Sequence, residues 1–294
     1  MSSFVTPGSV LVGVDGSTGA DLALAWAAGY ADHRRRPLVV VHVTPPGNGA
    51  AAHDEAARVA AGYRTLDRAL LRARASQPGV SVVALGQVGD PRAVLADLAR
   101  DASALVVGSR GRGSLAGLLL GSVSVALAAQ APCPLVVVRP HPDAVAFNDL
   151  SVVVGLDGDR EGDEQADALT LGFELASSQY RPLEVVHALG TPVAFPYPDS
   201  LGGELESRAR RAAEVFLDEA LTGYDAKFPD VVVHRRVLLG SPTRALVAAS
   251  ERASTVVVGR RGHGWVRSHL LGSVSRAVVE QAHSTVVVVR AGRR

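Results

Sequence analysis

The chain has 294 residues, 47% hydrophobic and 20% charged, a globular composition that excludes disordered and fibrous classes. Thirty Lys+Arg against 29 Asp+Glu leave a net charge of +1, so neither a basic nucleic-acid surface nor an acidic tail is present. Lys227 is the sole lysine and Cys133 the sole cysteine, which excludes a Walker A P-loop, an internal disulfide and a cysteine zinc site.

In chain order, Met1–Gly8 lacks the basic and apolar regions of a signal peptide, and a cytoplasmic protein is expected. Short valine-rich runs follow: Val10–Val14, Leu38–Val43, Val80–Leu85, Ala104–Val107 and Leu135–Val138. Runs apolar at consecutive positions suit strands buried on both faces, as in a parallel sheet. Between them lie helical patterns over Ala20–Arg35, His53–Arg74 and Gly121–Ala131, and Asp90-Pro91 is a helix cap followed by proline at the first helical position. Gly113–Val138 carries no charge and is long enough to span a bilayer.

The second half repeats the first. Val12-Gly13-Val14-Asp15-Gly16 returns as Val154-Gly155-Leu156-Asp157-Gly158, and Leu120-Gly121-Ser122-Val123-Ser124 as Leu271-Gly272-Ser273-Val274-Ser275. The second copy carries three extra residues before His187, the counterpart of His42, and six more before Gly259, the counterpart of Gly108. Its version of the uncharged stretch contains Arg267, His269, Arg276 and Glu280, which argues against a membrane span. The predicted architecture is α/β: two tandem doubly wound, Rossmann-like domains, 1–145 and 148–294, each a five-stranded parallel sheet flanked by helices. Pro140-His141-Pro142-Asp143 is the expected linker.

The pattern richest in chemistry follows the fourth strand. It reads Gly108-Ser109-Arg110-Gly111, nine residues, Gly121-Ser122, and again Gly259-Arg260-Arg261-Gly262, nine residues, Gly272-Ser273. Glycines let backbone approach a phosphate, and a following helix N-terminus favours an anion. Arg110 and Arg112, or Arg260 and Arg261, can neutralise phosphate charge, and Ser122 and Ser124 can donate hydroxyls. The alternative is that these glycines are turns and helix caps of any α/β protein. Asp15 and Asp157, at the ends of first strands, could hold ribose hydroxyls or cap the next helix. His42 and His187 could be a polar edge beside a base or hydrogen-bonded, partly buried residues. Cys133, between two prolines, reads as an inert structural thiol, and Trp26 and Trp265 as packing residues. The proline-rich segments 44–52 and 190–203, the latter holding Phe195-Pro196-Tyr197-Pro198, read as lids or plain loops.

With these residues in hand, the chain resembles the universal stress protein family, specifically its tandem members, over nearly its whole length. The family's Gly-x2-Gly-x9-Gly-Ser/Thr pattern is matched by Gly108, Gly111, Gly121 and Ser122, and by Gly259, Gly262, Gly272 and Ser273. The resemblance implies ATP in each domain, with Asp15 and Asp157 at the ribose or adenine end and backbone of Val41 and Val186 at adenine. It places phosphates at Gly121 and Gly272 with Ser122, Val123, Ser124, Ser273, Val274 and Ser275. It further implies domain pairing through Leu135–Val138 and Val286–Val289, and homodimers. A regulatory, stress-response protein with a protein partner is expected rather than a metabolic enzyme, since the sequence offers no nameable general base or second-substrate pocket. Two other readings stay open, a slow Mg²⁺-dependent ATPase and a nucleotide-free dimeric scaffold. The copies differ: Gly158-Asp159-Arg160-Glu161-Gly162-Asp163-Glu164 puts carboxylates near the second phosphate site, where they would repel it unless Mg²⁺ intervened.

Overall fold

A computed structural model describes residues 5–47, 54–111, 120–140, 150–158, 163–190, 199–260 and 271–290. The chain forms two compact units that divide near Pro140.

The first unit runs β1 (Val10–Gly13), α1 (Thr18–His33), β2 (Leu38–Thr44), α2 (Glu55–Ser76), β3 (Val82–Val88), α3 (Pro91–Leu98), β4 (Ala104–Gly108), α4 (Ser122–Gln130) and β5 (Leu135–Val138). The strand order is β3-β2-β1-β4-β5 and every pairing is parallel. The order reverses between β1 and β4, so their carboxyl ends diverge and open a crevice there. Helix α1 packs against β1, β4 and α2, α2 covers β2 and β3, and α3 meets α4. Right-handed crossovers put the last two on the opposite face of the sheet from the first two.

The apolar runs behave as expected at the sheet centre. Val10, Leu11, Val12, Leu105 and Val106 are fully buried, as are Leu135 and Val136 of β5. The Val80–Leu85 run does not belong with them. Strand β3 spans Val82–Val88, pairs only with β2, and leaves Val83 and Val88 exposed, because an edge strand has a neighbour on one side only. Helix α1 also stops short of its expected end. Arg35 adopts a left-handed φ of 49°, and the Arg36 amide turns back to donate to the Ala31 carbonyl at 2.9 Å. The alanine stripe Ala20, Ala23, Ala27, Ala28 and Ala31 lets this helix lie close on the sheet. Trp26 stacks on Tyr30 at 5.0 Å between centroids, a packing role. At α3, Asp90 accepts from the Arg92 amide at 3.0 Å and Pro91 opens the helix.

The second unit runs β6 (Ser151–Leu156), α5 (Asp163–Ser178), β7 (Leu183–Leu189), α6 (Asp199–Ala220), α7 (Tyr224–Lys227), β8 (Val233–Leu239), α8 (Pro242–Ser250), β9 (Ala253–Gly259), α9 (Ser273–Gln281) and β10 (Thr285–Val289). Its order is β8-β7-β6-β9-β10, again all parallel. The one-turn helix α7 has no counterpart in the first unit. Its Tyr224 and the following Phe228 stack on Phe173 of α5 at 4.6 and 5.2 Å. Among the described residues no helix is long and apolar enough to cross a membrane.

Candidate functional site

In the first unit a cleft of about 530 Å³ opens at the carboxyl ends of β1, β2 and β4, a volume suited to a small molecule. Its wall includes Asp15, Val41, Gly108 and Gly111, and Gly121 through Ser124. The described residues that the first copy's glycine pattern and first-strand aspartate nominate are therefore brought to one concavity.

The three loop glycines stand under different physical demands. A Cβ on Gly108 would lie 2.6 Å from the backbone of Gly19, so α1 can sit on β4 only if this residue has no side chain. A Cβ on Gly111 would lie 2.5 Å from Asp15 Oδ2. Gly121 is under no such demand: its φ of −78° is ordinary, and the nearest atom to a Cβ there is the Ser109 carbonyl oxygen at 3.4 Å. Gly121 is the N-cap of α4, where Ser, Asp or Asn would cap the helix better, yet no side chain caps it. The first in-helix bond is donated by the Val125 amide to Gly121 O at 3.1 Å, so the amides of Ser122, Val123 and Ser124 lie in the unpaired first turn of the helix. That end of the cleft carries the positive pole of α4.

Asp15 does not itself cap α1. Its Oδ1 accepts from the Ser17 amide at 3.0 Å and from Ser17 Oγ at 2.6 Å, and Ser17 is the cap, accepting from the Ala20 amide at 3.2 Å. The carboxylate thus holds the capping residue while its Oδ2 stands beside Gly111. The Ser124 hydroxyl is also occupied, donating to Gly108 O at 2.8 Å, and Ser275 does the same to Gly259 O at 2.5 Å. Both serines are buried. Their hydroxyl hydrogens tie the helix to the strand end, so an anion at this point would meet the first-turn amides and the exposed Ser122 side chain instead.

His42 is the hydrogen-bonded, partly buried residue that one of its two readings expects. Its Nδ1–H donates to Val14 O at 2.7 Å, which fixes the tautomer, and the ring also lines the cleft. His187 repeats the bond to Leu156 O at 3.0 Å and is buried. Arg110 lines the cleft and Arg139 stands nearby at the end of β5; burial, then the charge of Arg110, pull the Arg139 guanidinium down to about 10. Cys133 is buried, and burial pushes its thiol up to about 12.

The second unit places the corresponding residues at corresponding points. Asp157 follows β6, Val186 lies in β7 opposite Gly155, Gly259 ends β9, and Gly272, Ser273, Val274 and Ser275 open α9. Gly262, Arg261 and most of the acidic run, with Arg112 and the Phe195–Pro198 segment, lie outside the described residues. One difference is visible. A Cβ on Gly259 would meet the carboxylate of Glu164 at 3.1 Å, where Gly108 meets only the backbone of Gly19 and Ala20. A negative side chain therefore stands at the second glycine loop.

The universal stress protein family model matches the chain twice, over residues 8–139 and 151–290. The chain belongs to the universal stress protein family. Among curated universal stress proteins, Rv2005c of Mycobacterium tuberculosis is 35% identical over 296 residues, covering 96% of each chain, and Rv2623 of the same species is 32% identical over 315 residues, covering 99% of each. A crystal structure of a universal stress protein from Archaeoglobus fulgidus overlays with a TM-score of 0.66 at 20% identity, covering 97% of this chain and 98% of that one, a likeness of fold.

In this universal stress protein, sequence reasoning missed the α2 wall of the cleft: Arg58, Ala61, Gly62 and Thr65, with Thr44 and Pro45 beside them. The signal was a stripe of small residues at helical spacing, but nothing in the sequence says which face of α2 meets the crevice.

Proposed function

We propose that this universal stress protein binds ATP in the first unit's cleft and acts as a regulatory nucleotide-binding protein. The observation that carries the reading is Gly121. Packing does not require a glycine there, and Ser, Asp or Asn would cap the helix a few tenths of a kcal/mol better, yet its lack of a side chain leaves the first-turn amides of α4 open to the cleft. Those amides and the α4 pole support a phosphate seat. Asp15 lies across the switch point at the ribose end, and Val41 lies one strand further on, at the adenine end. Mg²⁺ would enter with the phosphates. The second unit offers the same frame with a weaker seat, because Glu164 faces its glycine loop. We further propose a cytoplasmic homodimer that signals nucleotide state to a protein partner.

The test is nucleotide content. Freshly purified protein is denatured, and the released nucleotide is identified and quantified by chromatography against chain concentration. At least one ATP per chain is expected. No released nucleotide, together with no rise in melting temperature at millimolar ATP, would refute the reading, because a ligand of the native state must stabilise it by mass action.

A further inference from the structure

Four residues of α2 face the cleft at helical spacing: Arg58, Ala61, Gly62 and Thr65. Three of them are small, and one is closely packed, since a Cβ on Gly62 would fall 2.6 Å from the His42 ring. The polar groups of this wall are largely committed. Thr65 Oγ1 donates to Ala61 O at 3.2 Å and His42 Nδ1 donates to Val14 O. Arg58 is different. Its Nε and Nη2 are buried and have no hydrogen-bond partner among the described residues. Guanidinium donors left in that state are costly, and an acceptor arriving in the cleft offsets the cost.

The two groups define the chemistry of that acceptor. Nε–H and Nη2–H lie along one edge of the guanidinium and run parallel, a fork that fits two adjacent acceptors. Position narrows it further. Arg58 belongs to the helix that follows β2, whereas the glycine loop follows β4, two strand spacings or about 10 Å away. A nucleotide whose phosphates sit at α4 presents its base, not its phosphates, to α2. Guanine offers adjacent acceptors, O6 and N7, on one edge; adenine pairs the N7 acceptor with an amino donor.

We propose that Arg58 is a specificity-determining residue that reads the base edge, so that the first cleft admits guanine nucleotides as well as adenine ones. This rests on the nucleotide reading above.

The test uses the full chain carrying Gly272→Asp, which charges the second phosphate seat with a residue favoured at a helix cap. ATP and GTP are titrated calorimetrically into this protein and into its Arg58→Lys and Arg58→Gln versions. GTP should bind within tenfold of ATP. Either Arg58 change should weaken GTP tenfold or more and ATP less than threefold, with the nucleotide-free protein melting no lower than its parent. An unchanged GTP-to-ATP ratio, or ATP binding without GTP binding, overturns the role of Arg58 and leaves the nucleotide reading standing. Binding of neither nucleotide overturns both.

Discussion

Replacing Gly121 by Asp separates anion binding from folding. The backbone there, φ −78° and ψ 152°, suits any residue, and the 3.4 Å approach to Ser109 O is an ordinary contact. Aspartate at the N-cap should add a few tenths of a kcal/mol over glycine by accepting from first-turn amides. The same carboxylate would stand about 4 Å from a phosphate seated on those amides. At that range a pair of unit charges repels by about 1 kcal/mol in water and about 4 kcal/mol at an effective dielectric of 20. ATP affinity should therefore fall by about fivefold to a thousandfold, while the nucleotide-free protein melts at the same temperature or slightly higher. Calorimetric titration and thermal melting read the two quantities. At a hundred times the parent's Kd, ATP should raise the first unit's stability by about 2.7 kcal/mol, roughly 5–10 °C, and Gly121→Asp should cut that rise to about 1.8 kcal/mol for a fivefold loss of affinity and to almost nothing for a thousandfold loss. An unaltered Kd in a well-folded variant would refute the phosphate seat.

Gly108→Ala should do the opposite, destabilising the first unit by about 1–3 kcal/mol because its Cβ meets the Gly19 backbone at 2.6 Å; a melting temperature equal to the parent's would count against that contact. Glu164→Gln should raise nucleotide occupancy of the second unit, read as the stoichiometry of ATP binding in a Gly121→Asp background, and no gain would show that its charge does not govern that site. Cys133 should resist thiol reagents at pH 8 until the protein unfolds, since burial keeps it protonated; rapid labelling of native protein would contradict its buried position. Its raised value also has a stability consequence. Above the ordinary thiol value of 9.0 the unfolded chain loses the proton and the folded chain keeps it, so stability should fall as pH rises from 9.0 towards about 12, and Cys133→Ala should flatten that decline.

Central strands were legible because a strand buried on both faces must be apolar at every position, and Leu105–Val107 or Val136–Val138 have no other use. The edge strand β3 was not, since Val82, Val83 and Val88 read the same whether a neighbour covers them or not. The glycine loop announced its place by its recurrence. The separate duties of Gly108 and Gly111 did not, because they depend on Gly19 and Asp15, residues remote in sequence that only the sheet brings near. The hydroxyls of Ser124 and Ser275 were legible as donors, and their acceptors, the strand-end carbonyls sixteen residues earlier, were not. Arg58 was one arginine among thirty basic residues until the crossover put it on a wall of the cleft.

The nine-residue interval recurs in both halves although its letters differ, Arg112–Leu120 against His263–Leu271. A single backbone bond gives the reason. Gly121 N donates to Ser109 O at 2.7 Å, and Gly272 N to Arg260 O at 2.9 Å, so each interval begins and ends at one fixed clasp. What is clasped can be rewritten between generations of the gene without moving the helix it delivers. A graft of one interval into the other half should therefore keep its length and be free in its lettering.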